Sequence, residues 1–150
     1  MMHDMSIEQA QLTIAHRLLL WAGLSVALGV MLNRLQSPFG RGVSLQFILW
    51  GTIDGVIALI AGKTNSVHQI KRVILQTDQE NQTKKNKLAI LLWANTVLDI
   101  LYVIGGLRLY QSKGAASPFW RGQGVGITIQ GGYLFLFDLV HAIWLSNRNL

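Results

Sequence analysis

Three aspartates stand inside long apolar runs that carry no other charge, and they are the residues best placed to do chemistry. They are Asp54, Asp99 and Asp138, in the runs 42–62, 88–107 and 122–147. On the insertion scale a carboxylate at the centre of a membrane span costs about 2.5–3.5 kcal/mol, or about 9 kcal/mol for three without partners. We therefore expect all three to face the interior of a helix bundle.

Amides and a phenol at helical spacing are the expected partners. Asn95 precedes Asp99 by four residues, and Tyr102 follows it by three. The predicted buried polar network is Gln46, Asp54, Asn95, Asp99, Tyr102, Gln130 and Asp138. Such a network can be purely structural, since hydrogen bonds between helices contribute about 0.6–2 kcal/mol each. It can also form a proton or cation path.

Two histidines near the ends of the first and fourth runs are candidate ligands. His16 and His141 together suit a b-type haem, and either alone suits a chlorophyll-type pigment. A lone interfacial histidine is more often simply half-hydrated. No metal and no cofactor is expected. The sequence contains no Gly-x-Ser-x-Gly, no His-Glu-x-x-His and no phosphate loop, so an enzyme is not expected either.

Composition favours a membrane protein. Apolar residues make up 51% of the chain and charged residues 13%, against about 25% charged in soluble domains. The absence of cysteine excludes thiolate chemistry and disulfides. The net charge of +6 does not indicate nucleic-acid binding, because the basic residues lie in the connectors and not along one helix face.

Four apolar runs predict an all-α membrane protein with four transmembrane helices. The expected spans cover about residues 14–33, 42–62, 88–107 and 122–146. A soluble four-helix bundle would need a polar stripe along each helix. Residues 18–24 and 133–137 contain no polar position apart from Tyr133 and the tryptophan indole, so the soluble alternative is disfavoured.

A repeated motif divides the chain into two helical hairpins, about residues 14–62 and 87–146. Residues 37–42 (SPFGRG) and 117–122 (SPFWRG) agree at five of six positions. Serine is a preferred N-cap and proline fits the first helical turn, so each copy predicts a helix start. Because each copy contains two spans, both copies cross the membrane in the same direction. They are therefore parallel repeats, related by a pseudo-twofold axis along the membrane normal. The predicted interfacial residues are Ser37, Pro38, Phe39, Arg41, Ser117, Pro118, Phe119 and Arg121, with the arginines reaching lipid phosphates or a carboxylate.

The connectors predict the orientation. The termini and the central connector carry eight basic residues, against five on the opposite side. The positive-inside rule therefore favours cytoplasmic N- and C-termini. Within the connector (residues 63–87), apolar side chains at helical spacing predict an amphipathic helix at the cytoplasmic interface; they are Val67, Ile70, Val73 and Ile74.

The second half of the chain resembles a family of small uncharacterised bacterial four-helix membrane proteins. The resemblance rests on residues 93–99 (WANTVLD), Tyr102, residues 105–107 (GGL), residues 130–132 (QGG) and residues 135–138 (FLFD). It implies a location in the bacterial inner membrane and supplies no activity. That family often has Asn in place of Asp54, which argues against a role that demands a carboxylate there.

These observations favour a small non-enzymatic integral membrane protein, either a scaffold or an accessory subunit. The alternative is a proton- or cation-coupled transporter or channel that uses Asp99 and Asp138. Haem or pigment binding at His16 and His141 is a second alternative. The expected partners are the lipid bilayer and either further copies of the chain or the other subunits of a larger membrane complex.

Overall fold

The protein is built from four long helices and one short one. The computed structural model describes the backbone of residues 6–72 and 78–147 and the side chains of residues 6–63 and 82–147. The helices are α1 (Ile7–Asn33), α2 (Pro38–Arg72), α3 (Asp78–Gln111), α4 (Lys113–Ala116) and α5 (Pro118–Ser146). Within the described backbone there is no β-strand. The all-α prediction is confirmed.

Four of these helices are long and apolar enough to cross a membrane. The qualifying stretches are Ile7–Asn33, Pro38–Lys63, Gln82–Ala116 and Pro118–Ser146. Each is longer than the apolar run that predicted it, because helix continues into the flanking polar residues. At the first of these ends, Ser6 and Gln9 form a capping box, so α1 begins at Ile7, seven residues before the expected start of the span.

The two Ser-Pro sequences open α2 and α5, but the two serines act differently. The Gly40 backbone N–H donates to Ser37 Oγ at 3.0 Å, so this hydroxyl caps α2. Ser117 occupies the N-cap position of α5 without a side-chain capping bond. The short helix α4, which the sequence did not predict, immediately precedes Ser117.

The first part of the central connector continues α2. Its helix runs unbroken to Arg72, where the sequence predicted a separate amphipathic helix. No proline interrupts this segment, so the helix can continue past the apolar run. Val73 and Ile74 lie outside the described residues, as do the side chains of Val67 and Ile70.

The helices pair as α1 with α2 and α3 with α5, and the two pairs meet where α2 packs on α5. We call the end that holds residues 34–37 and 112–117 the loop end, and the opposite end the terminal end. The terminal end contains a small apolar core of Ile7, Leu92, Ala142 and Leu145. Within the described residues the backbones of α2 and α3 do not pack on each other, so a gap remains between them there.

Near the loop end, α2 and α5 cross at very close range. A Cβ on Gly42 would collide with the carbonyl oxygen of Phe119, and a Cβ on Gly122 with that of Phe39. Only glycine at both positions allows the two backbones to approach this closely. The crossing therefore fixes how the two hairpins sit on each other.

Candidate functional site: a cavity with three aspartates

Asp54, Asp99 and Asp138 come from three different helices and line one cavity of about 550 Å³. Their residues are only 4%, 9% and 8% exposed. We call this space the aspartate cavity. Five of the seven residues in the predicted polar network line it, because Asn95 and Tyr102 are there as well.

The three carboxyl groups lie deep between the helix ends. Two of them are counted from the terminal end, where Asp138 lies eight residues before Ser146 and Asp54 nine residues before Lys63. The third is counted from the loop end, where Asp99 lies twelve residues before Gln111. At 1.5 Å per residue these separations correspond to about 12–18 Å along the helix axes. In a hydrocarbon layer about 30 Å thick, the aspartates would lie near mid-depth.

The three carboxyl groups lie close to one another. The side chains of Asp99 and Asp138 lie within hydrogen-bonding reach of one another, and Asn95 reaches Asp138. One oxygen on each of Asp54 and Asp99, the Oδ2 atom, is buried without a hydrogen-bond partner in the part of the chain that is described. Buried polar atoms are nearly always satisfied in folded proteins, so two such oxygens in one cavity call for a missing partner.

Two aromatic residues form one wall of the aspartate cavity. The rings of Trp50 and Tyr102 meet edge to face, with centroids 4.8 Å apart. The Tyr102 hydroxyl donates to Gln46 Oε1 at 3.2 Å, and the amide of Gln46 donates in turn to Gln123. Gln46 lies in α2 between Gly42 of the crossing and Trp50 of the cavity wall, so these hydrogen bonds link the wall to the crossing.

The remaining walls are apolar, and part of them is open to the surroundings. They consist of Leu18, Ile57, Leu98, Leu101 and Leu134. Ile57 is 52% exposed, Leu98 60% and Leu101 61%. The mouth of the cavity therefore lies in the gap between α2 and α3 and has a hydrophobic rim.

A second cavity of about 320 Å³ adjoins the first on the side of the terminal end. The two share Leu18, Ile57, Asn95 and Asp138 as common lining residues. The second cavity continues to Gln11 and Leu88, near the starts of the first and third spans. Asp138 and Asn95 thus stand between the aspartate cavity and the terminal end.

Gln130 does not join the aspartates, although the sequence groups it with them. It is completely buried against α1, where Trp21 Nε1 donates to its Oε1 at 3.1 Å and its Nε2 donates to Ser25 Oγ at 3.2 Å. Trp21 also stacks on Tyr133, with ring centroids 3.5 Å apart. Because eight residues rotate an α-helix by about 80° beyond two full turns, Gln130 and Asp138 face different neighbours.

The two candidate histidines lie in different places. His16 is exposed and lines a cavity with Ala58 and Lys63, whereas His141 is buried and lines one with Arg17 and Tyr133. Arg17 Nη1 lies 3.2 Å from His141 Nε2, and His141 Nδ1 lies 2.6 Å from the carbonyl oxygen of Phe137. A guanidinium can only donate, so Nε2 accepts and Nδ1 carries the proton. Both ring nitrogens of His141 are therefore already engaged within the protein.

The repeated interfacial motif is split between exposed and packed positions. Arg41 is exposed, whereas Arg121 Nε donates at 3.2 Å to the carbonyl oxygen of Gly114 in α4. Arg121 therefore contacts a backbone carbonyl, a partner that the sequence did not suggest. Phe119 and Trp120 form an edge-to-face pair, and Lys113 Nζ lies 5.0 Å from the Trp120 ring centroid.

Several interacting residues were not anticipated from the sequence. Ser25, Gln123 and Arg17 each bond a residue more than 70 positions away in the chain. Ser25 and Gln123 could have been found as polar residues inside apolar runs, the same signal that identified the aspartates. Which partner each one meets depends on helix rotation and could not have been read from spacing.

Comparison with known proteins leads to a family. No curated protein and no solved structure matches the chain. Residues 17–139 match a family of unknown function, DUF6992, and this region includes all three aspartates and most of the four long helices. The chain belongs to the DUF6992 family.

Proposed function

We propose that this chain is a non-enzymatic integral membrane protein that takes up and releases a proton or a cation at the aspartate cavity. Asp99 and Asp138 carry the charge, and Asp54 adds to the negative potential. The observation that carries this proposal is the convergence of three buried carboxyl groups on one cavity, with an oxygen on each of Asp54 and Asp99 lacking a donor. A bound proton or cation supplies what these oxygens lack.

A contrast within the same molecule supports this reading over a purely structural network. The Gln130 amide is completely buried, and its donor and acceptor atoms are both bonded, to Ser25 and Trp21. That is the pattern of hydrogen bonds that hold helices together. The aspartates are also buried, yet Asp54 and Asp99 each keep a buried oxygen without a donor, and both residues line a cavity. Packing alone does not require this arrangement.

The proposed setting is the bacterial inner membrane, with both termini in the cytoplasm. The apolar helices and the charge bias of the connectors support it. The residues from 63 to 87 then belong to the cytoplasmic side. In this orientation the second cavity connects the aspartates to the cytoplasmic face.

We also propose that the fold is a parallel repeat of two hairpins related by a pseudo-twofold axis. The reciprocal contacts of Gly42 and Gly122 support it, because the two glycines hold the same position in the repeated motif. Counted from these glycines, Asp54 follows by 12 residues and Asp138 by 16. The two aspartates are therefore one helical turn out of strict equivalence, and the cavity is asymmetric.

A scaffold or accessory subunit is the second candidate function, and the saturated hydrogen bonds of Gln130 favour it. The native size of the gently extracted protein separates the two candidates. Comigration with other subunits favours an accessory role, and a homo-oligomer favours an independent carrier.

The proposed function is tested in liposomes that hold the purified protein and a trapped pH indicator. A potassium diffusion potential is imposed, with and without an inorganic cation gradient, and the rate of proton movement is recorded. Asp99→Asn and Asp138→Asn should each reduce the rate at least about tenfold, the loss expected when a residue on an ion pathway is neutralised. Glu8→Gln, outside the cavity, is the charge-matched control and should retain the wild-type rate.

Two results would contradict the proposed function. If the wild-type protein moves protons no faster than empty liposomes under every gradient, the proposed function is wrong. The same holds if both asparagine variants, inserted in equal amounts, keep the wild-type rate. The aspartates are then structural.

A further inference from the structure

We propose that the aspartate cavity binds a lipophilic organic cation, which competes with protons for the carboxyl groups. This inference rests on the proposed function and names the class of ligand that the site takes. It is drawn from the size, charge, aromatic wall and mouth of the cavity.

The size of the cavity suits an organic molecule. Ligand pockets for compounds of drug size span about 300–1,000 Å³, and the aspartate cavity measures about 550 Å³. A bare metal ion needs several oxygens converging on one point. Among residues 6–63 and 82–147, no three Asp, Glu, His or Cys side chains are arranged to hold one.

The charge of the cavity demands a positive partner. Its titratable lining residues are Asp54 from α2, Asp99 and Tyr102 from α3, and Asp138 from α5, while α1 contributes the apolar Leu18. No Lys, Arg or His is among the lining residues. The adjacent Arg17 points to a different cavity, where it bonds His141. Neutrality in this space therefore depends on protons or on a cationic guest.

The unpartnered oxygens point to where the charge of the guest would lie. Asp54 is 4% exposed and Asp99 9% exposed, and the Oδ2 atom of each is buried without a donor in the described part of the chain. Both residues line the cavity. A cation held between these two carboxyl groups would supply the partner that each buried oxygen lacks.

The aromatic wall suits the same guest. Electron-rich faces of Trp and Tyr attract cations, and the recognition of quaternary ammonium groups commonly uses such rings. Trp50 and Tyr102 line the cavity beside Asp54 and Asp99. Tyr102 is held in place by its bond to Gln46, so one side of the wall is set before a ligand arrives.

The mouth of the cavity favours a lipophilic cation over a hydrated one. Ile57, Leu98 and Leu101 form its rim and are each more than half exposed. In a bilayer this rim faces hydrocarbon, so the entrance admits molecules that partition into lipid. The second cavity shares Asn95 and Asp138 with the first and extends to Gln11 near the terminal end, and its other lining residues are apolar.

The experiment measures equilibrium binding of radiolabelled tetraphenylphosphonium to the full-length protein in detergent. Protons released on binding are recorded in a weakly buffered solution. Asp99→Asn and Asp138→Asn should each weaken binding about 30-fold or more, as when a buried charge loses its partner. Trp50→Leu should weaken it about 5–30-fold, the effect of losing a desolvated cation–π contact. Glu8→Gln and Trp120→Leu are the matched controls and should bind as the wild type does.

A second measurement needs no variant and so does not depend on folding. Triphenylphosphine oxide is neutral and similar in shape, and it should compete with the cation at least about 30-fold less well if charge recognition dominates. Equal competition by the neutral compound would overturn the inference, because the cavity would then be a simple apolar pocket. Binding that survives both asparagine substitutions would overturn it as well.

The liposome assay separates this inference from the proposed function. If tetraphenylphosphonium does not bind while protons still move through Asp99 and Asp138, the organic-cation inference is wrong and the proposed function stands. If neither binding nor proton movement occurs, both are wrong.

Discussion

Gly42 of α2 and Gly122 of α5 face each other's helix at reciprocal positions. A Cβ on either one would collide with a backbone carbonyl oxygen of the other helix, at Phe119 or Phe39. Next to these contacts, a Cβ on Gly42 would lie 2.9 Å from the Gln123 nitrogen, and one on Gly122 would lie 3.1 Å from the Val43 nitrogen. The neighbouring atoms are backbone and cannot move aside as a flexible side chain can.

We expect Gly42→Ala and Gly122→Ala each to destabilise the protein by about 1–3 kcal/mol or more, because the added methyl group overpacks a backbone contact. Thermal unfolding in detergent, followed by tryptophan fluorescence, measures the loss. Gly62→Ala and Gly132→Ala are matched controls on the same two helices, since a Cβ there meets no atom within 4 Å. They should be neutral or slightly stabilising. Equal melting temperatures for all four variants would show that α2 and α5 do not cross at these glycines.

Replacing Gln130 tests the role of its hydrogen bonds. We expect Gln130→Leu to lower the free energy of unfolding by about 1–3 kcal/mol, because Trp21 Nε1 and Ser25 Oγ lose a buried partner. Proton movement through the aspartate cavity should persist in the folded fraction, since Gln130 does not line it. The smaller change Ser25→Ala removes one of these bonds and should cost less. A Gln130→Leu protein of normal stability that moves no protons would contradict the division into two networks.

The contact between Arg17 and His141 predicts one tautomer of the imidazole. With Nε2 accepting from Arg17 and Nδ1 donating to the Phe137 carbonyl, the ring should be neutral with its proton on Nδ1. Nitrogen NMR of protein labelled in histidine distinguishes the two ring nitrogens. Arg17→Leu removes the donor and should change the Nε2 signal of His141 while leaving that of the exposed His16 unchanged. A proton found on Nε2 of wild-type His141 would contradict the contact.

The orientation is open to a direct test because the chain has no cysteine. Single substitutions Ser6→Cys and Asn147→Cys should react with a membrane-impermeant thiol reagent only after the cytoplasmic side is exposed. Lys113→Cys, at the loop end, should react from the outside in intact cells. The unmodified chain contains no thiol and serves as the negative control. The reverse pattern would invert the proposed topology.

The sequence by itself determined the secondary-structure elements of this protein. Runs of apolar residues longer than 15 positions, without a polar stripe, leave a long helix as the only conformation that satisfies the backbone in hydrocarbon. The two Ser-Pro sequences marked the starts of α2 and α5 because proline tolerates the first turn and no later one. The aspartates stood out for a similar reason, since a carboxyl group is rarely found within a span unless it has a partner.

Only the tertiary structure decided which polar residues meet. Gln130 and Asp138 lie eight positions apart on one helix, yet the first contacts Trp21 in α1 and the second lines the aspartate cavity. The rotation and depth of each helix follow from how closely the backbones approach, and near the loop end Gly42 and Gly122 set that approach. The spacing of two residues in the sequence fixes the angle between their side chains around one helix. It does not determine which neighbouring helix each side chain contacts. That is why the carboxyl groups could be singled out from the sequence, whereas the cavity they share could not.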